Sequence, residues 1–546
     1  MTGPVKGGMD IDLSGYGSYE AAYEAFEWDI PEAFNIAGAV CGRWAEAPDG
    51  KRRVALFYEG EDGSEETYTF WQVRREANRV SNALAEAGVE RGTRVGVVLP
   101  QRPENLFANL GILQVGGVVV PLSVLYGSEG LRYRLDHSET EVAIVGEQRA
   151  GLVEELRPEL DALETVITVD APDHGDRTWA DTVVPASPEF DAVETAAEDS
   201  AYIIYTSGTT GEPKGAHHAH RKLLGYVPGW QMINEFPDES AVHYSPSGWA
   251  WVGGLFAVVW GAWFHGQPVV GYGGQFEPDE IYRILEKYGA THTLLTATMV
   301  RMLRAVDHTD YDLDVEVVPS GGEKVSRDVH RYVEGEWDAV VNEIYGQTEC
   351  NFLVAMNHEL MEMDYGATGR PAPGHVVSVV DEGTGEEKPP GEIGHIAVER
   401  PDPSMLLDYW NQPDLTEALF VDDWMLTGDA GSFDEDGYLH YEGRADDVII
   451  TAGYRVSPLE VEDTLREHEA VANAVVVGVD DEEREQVVKA FLKIEPGFEP
   501  SEELADEVRT FVREREAAYK YPRQVEFVDE FPTTVTGKVQ RRKLKD

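Results

Sequence analysis

Between Val73 and Val145 the chain alternates helix-patterned and strand-patterned segments, and this rhythm constrains its fold more than any other feature. Val73, Ala77, Val80 and Leu84 recur on one helical face that stops at Gly88, and the apolar run Val95 to Leu99 follows. Leu106, Leu110 and Leu113 form a second such face, closed by Gly116-Gly117 ahead of Val118 to Val120. A third, near Leu131 and Leu135, leads into Val142 to Val145. Strands alternating with helices imply a parallel sheet wound by right-handed crossovers. The pattern resumes at Tyr202 to Tyr205, Leu294 to Leu295 and Val315 to Val318, each followed by small or hydroxyl residues. Ligands of such sheets gather at the carboxyl ends of strands.

From about Gly374 the helical pattern thins and turns crowd in, as at Lys388-Pro-Pro-Gly391 and Asp434-Glu-Asp-Gly437, predicting a small β-rich subdomain. The second turn lacks the sixth-position glycine and closing glutamate of an EF-hand, so a hairpin is expected there rather than a calcium loop. After Asp447 an α+β pattern begins. It comprises a helix opened by Ser457-Pro458, strands through Val475 to Val477 and Val487 to Ile494, and a helix from about Ser501 to Arg515. A chain of 546 residues should divide into at least two cores.

The formal charge is −56, from 101 acidic and 45 basic residues, which argues against nucleic acid and anionic membranes as partners. Such self-repulsion is relieved when roughly molar salt shrinks the screening length to about 3 Å, so a halophilic enzyme is expected. The basic residues Arg541, Arg542, Lys543 and Lys545 read as a solvated tail beside an anion site. No run of about 18 uncharged apolar residues occurs, and Met1-Thr-Gly-Pro-Val-Lys-Gly-Gly lacks a signal-peptide core, so a soluble, cytoplasmic protein is expected. Cys41 and Cys350 are the only cysteines and are expected to be free thiols, Cys350 as a small buried filler. His217, His218 and His220 lack the further ligands of known zinc sites and are assigned to packing and nucleotide contacts.

The stretch Tyr205-Thr-Ser-Gly-Thr-Thr-Gly-Glu-Pro-Lys214-Gly215 follows a buried strand and reads as a phosphate grip. Gly208 and Gly211 let backbone amides turn inward, Thr206, Ser207, Thr209 and Thr210 supply hydroxyls, and Lys214 supplies positive charge. The spacing is not that of a Walker A loop, and Gly271-Tyr-Gly-Gly274 does not complete a dinucleotide fingerprint.

Six further motifs follow in order: Ser320-Gly-Gly-Glu323, Glu343-Ile-Tyr-Gly-Gln-Thr-Glu349, Leu426-Thr-Gly-Asp429, Gly443-Arg-Ala-Asp-Asp447, Ala452-Gly-Tyr-Arg455 and Thr536-Gly-Lys538. Together they resemble the adenylate-forming superfamily of acyl-CoA synthetases, adenylation domains and luciferases nearly end to end. The resemblance implies an α/β fold. A large N-terminal adenylation domain, residues 1–445, would precede a small α+β C-terminal domain, residues 446–546, that rotates about a hinge at Asp446. It also implies ATP, Mg²⁺ and coenzyme A as partners of a carboxylic acid, which is activated as an acyl-adenylate before a thiol attacks.

By the same resemblance, Thr206, Ser207, Gly208, Thr209, Thr210, Gly211, Glu212, Pro213 and Lys214 hold the β- and γ-phosphates. Gly321, Gly322 and Glu323 line the adenine slot, and Tyr345 in the segment Glu343, Ile344, Tyr345, Gly346, Gln347 stacks on the ring. Thr348 lies near the α-phosphate and Glu349 on the metal, Asp429 and Arg444 take the ribose, and Lys538 stabilises the first transition state.

The chain ends eight residues beyond Lys538, so free coenzyme A rather than a fused carrier protein is the expected acceptor. The segments around Ala452, Gly453, Tyr454, Arg484, Tyr521, Pro522 and Arg523 resemble the coenzyme A contacts of the medium-chain acyl-CoA synthetase branch. The acyl pocket is assigned to Trp249, Gly254, Gly346 and Arg455. Acetyl-CoA synthetases carry tryptophan where this chain has Gly346, so open space is expected there, with Gly346→Trp turning preference toward acetate. That branch has Asp-Thr-Gly-Trp where this chain has Pro246-Ser-Gly-Trp249, which leaves the acid's chain length open. An aryl-CoA ligase and a carrier-protein-loading enzyme share these motifs.

Overall fold

A computed structural model describes residues 5–206, 212–451, 454–481, 484–515, 520–533 and 539–545. The chain divides into two compact units, residues 1–375 with 401–418, and residues 376–400 with 419–546. It leaves the first unit after His375, returns at Pro401 and leaves again after Ala418.

The first unit holds two large sheets. One has eight strands, in the order Asp408–Tyr409, Lys214–Ala219, Ser200–Thr206, Val118–Pro121, Arg94–Val98, Val142–Gly146, Thr165–Val169 and Arg177–Thr178. The inner strands pair in parallel, as the helix-strand rhythm requires, with Val95 opposite both Val119 and Val142. The connecting helices Phe70–Glu86, Pro103–Gln114 and Ser128–His137 lie where the apolar spacing put them. Thr69 caps the first, accepting from the Gln72 amide while the Gln72 side chain accepts from the Thr69 amide, a reciprocal cap.

The second sheet has nine strands, in the order Arg370–Pro371, Cys350–Ala355, Val340–Gln347, Val317–Gly321, His292–Thr293, His243–Tyr244, Val269–Tyr272, Val54–Glu59 and Glu65–Thr69. The strand expected at Leu294 to Leu295 lies two residues earlier, at His292–Thr293. Residues 294–295 instead lead into helix Ala297–Arg304, whose first turn Thr296 caps. Under this sheet Tyr244, Ile281, Tyr282, Leu285, Val318 and Val333 form a core with no more than 1 % exposure.

The second unit opens with the expected β-rich part. Its strands are Val377–Val380, Gly394–Glu399, Phe420–Val421, Trp424–Phe433 and Leu439–Arg444, all paired antiparallel. Asp434 to Gly437 form a hairpin turn, with the Asp434 amide bonded to the Tyr438 carbonyl. A 3₁₀ turn at Ala445–Asp447 leads to a second sheet of Tyr454–Val456, Ile449–Thr451, Glu485–Ile494, Val471–Asp481 and Gln524–Phe527, covered by helices Pro458–Arg466 and Glu502–Arg515. Ser457 caps the first of these helices.

The expected solvated C-terminal tail holds for Arg542 and Lys543, which are exposed, but not for Arg541. Arg541 folds inward against buried Glu462, with one guanidinium–carboxylate contact at 3.1 Å, and donates to the Val476 carbonyl at 2.9 Å. A carboxylate buried at Glu462 needs positive charge, and Arg541 supplies it together with Arg466, whose guanidinium lies 3.2 Å from the same carboxylate.

Candidate active site

In the first unit, Ser200–Thr206 and Lys214–Ala219, the strands that flank the glycine-rich segment, pair antiparallel with Thr206 opposite Lys214. Residues Ser207, Gly208, Thr209, Thr210 and Gly211 lie outside the described residues. At the loop's far end Tyr133 donates to the Pro213 carbonyl at 3.0 Å, next to Glu212. The short strand Asp408–Tyr409 pairs beside Lys214–Ala219 and brings the Tyr409 ring under Lys214, whose ammonium sits 5.0 Å from the ring centroid.

Strands Val317–Gly321 and Val340–Gln347 run parallel with Gly321 opposite Ile344. Their carboxyl ends therefore place Gly321, Gly322 and Glu323 beside Glu343, Ile344, Tyr345, Gly346 and Gln347. Gly322 sits at φ +84°, a left-handed conformation that glycine adopts without strain. The Glu323 carboxylate accepts from the Thr298 amide at 2.6 Å and the Thr298 hydroxyl at 2.9 Å, tying it to the first turn of helix Ala297–Arg304. Glu343 is buried and accepts from the Val325 amide at 3.2 Å.

Gln347 pairs with Cys350, so Thr348 and Glu349 form a two-residue turn at the tip of the central hairpin. The turn is gripped from behind. Tyr409 donates to Glu349 Oε1 at 2.6 Å, and the Leu406 amide donates to the Glu349 carbonyl at 2.7 Å. Lys222, at 0 % exposure, donates to the Thr348 carbonyl at 3.1 Å and to Asn351 Oδ1 at 2.6 Å. Burial lowers the Lys222 ammonium to about 7. Cys350 is a buried free thiol, 2.9 Å from the Ser404 hydroxyl, and burial pushes it well above the usual thiol range. The Ser404 hydroxyl donates to Asp402, which also holds His375 Nδ1 at 2.6 Å.

The space expected beside Gly346 is closed. A Cβ there would fall 2.7 Å from the Phe352 amide nitrogen and 2.9 Å from Asn351 Cα, atoms of the facing strand that cannot rotate aside. Glycine is needed because the hairpin shifts register between Tyr345 and Gln347 and the two backbones close on each other. Trp249 is buried at 2 % exposure and its ring lies against Gly271, where a Cβ would come within 2.8 Å of it. Gly254 packs on the Ser247 carbonyl. The three histidines go to separate partners. His217 bonds Asp408 at 3.1 Å and Ser200 at 2.7 Å, His220 accepts from the Ile36 amide, and His218 is fully buried.

In the second unit Asp429 and Arg444 face each other across the antiparallel pair and form an ion pair of 2.9 Å. Asp446 is exposed in its 3₁₀ turn. The Arg523 guanidinium lies 5.2 Å from the Tyr521 ring centroid, Pro522 is buried between them in sequence, and the Arg484 amide donates to Asp481 at 3.0 Å. Lys538, Ala452 and Gly453 lie outside the described residues, as do the side chains of Tyr454 and Arg455.

Sequence reasoning missed Lys222 and Tyr409. A lysine opening the apolar helix Lys222–Ile233 reads as a solvated end residue, and Tyr409 sits in an unremarked Leu-Asp-Tyr-Trp run.

A lysine on a strand flanking the glycine-rich segment and a buried carboxylate turn at the carboxyl end of a parallel strand are features suited to a nucleotide-handling α/β enzyme. The chain matches the AMP-binding enzyme family over residues 43–410 and the AMP-binding enzyme C-terminal domain over residues 460–538. It is 32 % identical to the acetyl-coenzyme A synthetase of Bacillus subtilis (strain 168) over 97 % of this chain and 94 % of that one. It is also 32 % identical to the human mitochondrial acyl-coenzyme A synthetase ACSM3, over 97 % of this chain and 92 % of that one. Among solved structures, the anthranilate CoA ligase AuaEII in complex with anthranoyl-AMP superposes with a TM-score of 0.86 at 29 % identity, covering 94 % of this chain and 97 % of that one. An acyl-CoA synthetase of Brucella canis superposes at 0.76 with 30 % identity over 97 % and 98 %. The chain belongs to the AMP-binding enzyme family, as an AMP-forming acid–thiol ligase of the acyl-CoA synthetase kind. Among the described residues no helix is long and apolar enough to cross a membrane.

Proposed function

We propose that the protein joins a short- or medium-chain carboxylic acid to free coenzyme A, consuming ATP and releasing AMP and diphosphate. The observation that carries this reading is Tyr409, whose ring takes the Lys214 ammonium while its hydroxyl holds Glu349. A phosphate-binding cation and a hard-oxygen metal ligand are thereby fixed to one side chain. Carboxylate is a poor electrophile, so the acid first attacks the α-phosphorus of ATP. The chain's part in that step is positioning and charge neutralisation. Lys214 and the hydroxyls of the glycine-rich loop hold the β- and γ-phosphates, and Thr348 orients the α-phosphate.

The Glu349 carboxylate, with the nucleotide's own oxygens, suits Mg²⁺, which neutralises phosphate charge when bound. Asp429 accepts from the ribose hydroxyls, and Arg444, paired with it, fixes its orientation. Lys538 delivers its charge in the first half-reaction only. A swing about Asp446 then exchanges it for the loop at Gly453, where Arg484, Tyr521 and Arg523 receive coenzyme A.

Trp249 and Gly254 shape the acyl end. An aromatic acid is the second reading, favoured by the anthranilate and benzoate CoA ligases among the similar folds, with TM-scores of 0.86 and 0.81. The charge of −56 suits a halophile's cytoplasm. The test is a panel of linear acids from acetate to dodecanoate with benzoate and anthranilate, scored by acid-dependent ATP–diphosphate exchange and coenzyme-A-dependent AMP release in concentrated KCl. Absence of exchange with every acid would refute the reading.

A further inference from the structure

Helix Lys222–Ile233 is buried throughout and, apart from Gln231, carries no charged or amide side chain after its first residue, so packing alone would favour methionine or leucine where Lys222 stands. Burying an ammonium is costly unless its charge is matched and its protons are bonded. Among the described residues Lys222 forms no ion pair with any carboxylate. Both of its hydrogen bonds go to one distant hairpin, to the Thr348 carbonyl in its turn and to Asn351 Oδ1 on the strand that follows. Its neighbour Arg221 reaches the other side of the same region, donating to the carbonyls of Asp402 at 3.3 Å, Pro403 at 2.6 Å and Met405 at 2.9 Å. The next amide along, Leu406, holds the Glu349 carbonyl. Two adjacent basic side chains at the mouth of one helix thus fix both backbones that meet at Thr348 and Glu349.

We propose that Lys222 is a positioning residue for the adenylation half-reaction, locking the peptide plane between Thr348 and Glu349 so that the hydroxyl and carboxylate stay aimed at the nucleotide. The inference rests on the acyl-CoA synthetase reading. Met fills the volume of the lysine stem and supplies no N–H, whereas Gln keeps one donor for the Thr348 carbonyl.

The experiment compares wild type, K222M and K222Q in acid-dependent ATP–diphosphate exchange, in MgATP binding by calorimetry, and in conversion of supplied acyl-AMP to thioester. K222M is expected to lower the exchange kcat by about 30-fold, with the MgATP Kd and the KM for ATP within about threefold, since the turn is misaimed rather than removed. Thioester formation from acyl-AMP should stay within about threefold, which also reports a folded protein, and K222Q should recover at least about fivefold of the exchange. The proposal is overturned if K222M exchanges within about twofold of wild type, if K222Q is no better than K222M, or if both half-reactions fall together, an unfolded variant included. A wild-type protein that exchanges with no acid would instead refute the acyl-CoA synthetase reading.

Discussion

Replacing Tyr409 by phenylalanine removes one oxygen, and with it the hydrogen bond to Glu349, while leaving the ring that carries Lys214. A hydrogen bond to a charged group contributes about 1.5–3 kcal/mol. Both partners are buried here, Tyr409 at 3 % and Glu349 at 7 % exposure, which argues for the upper part of that range. At about 1.4 kcal/mol per decade, a loss of 2–3 kcal/mol in carboxylate orientation is a factor of about 30–150. The retained cation–ring contact, worth about 0.5–1 kcal/mol, should keep nucleotide affinity within about fivefold. The loss should therefore appear in the adenylation rate and in a raised Mg²⁺ concentration for half-maximal ATP–diphosphate exchange. Because the proposed route runs through Glu349 alone, the double variant Y409F/E349Q should lose no more than E349Q does. Exchange rate and Mg²⁺ dependence both within about twofold of wild type, on a protein that still melts cooperatively, would refute the reasoning, as would additive losses in the double variant.

Lys538→Ala should abolish acyl-adenylate formation while still converting supplied acyl-AMP to thioester, and equal loss of both steps in stopped-time assays would contradict a role confined to the first. Gly346→Trp should depress exchange with every acid by at least about 50-fold, because its Cβ collides with backbone and the cost is strain, and a clean shift toward acetate at undiminished rate would show that the strands part readily. Burial lowers His220, His292 and His330 to about 4 and His265 to about 3. The folded chain holds these rings neutral while the unfolded chain protonates them near 6.5, so their contribution is complete above about pH 6.5 and is lost as pH falls toward 4. Each group contributes up to about 1.4 kcal/mol per pH unit in that window, and a denaturant midpoint for the first unit that does not fall between pH 7 and pH 5 would sink the account. Stability and activity should rise from low to multimolar KCl as the repulsion among 101 acidic residues is screened, and a melting temperature flat with salt would rule that out.

The parallel sheets were legible because their signal is local: apolar runs ending in glycine alternate with helical faces, and strands such as Arg94–Val98 and Val142–Gly146 appeared where that pattern put them. At Gly322 the structure adds a backbone reason for the glycine, a left-handed turn at φ +84°, that the motif alone did not announce. What stayed hidden was contact between segments far apart in sequence. Nothing local announces that Lys222 will meet the carbonyl of Thr348, or that Arg541 will turn inward to Glu462 rather than trail into solvent. Gly346 is the instructive case, because a small residue does not by itself imply space around it. A glycine can mark an open pocket or a place where two backbones touch, and only the register of Val340–Gln347 against Cys350–Ala355 distinguishes them. For the acyl wall proposed at Trp249, the observed counterpart is a ring 2 % exposed and sealed against Gly271, where a Cβ would come within 2.8 Å of it.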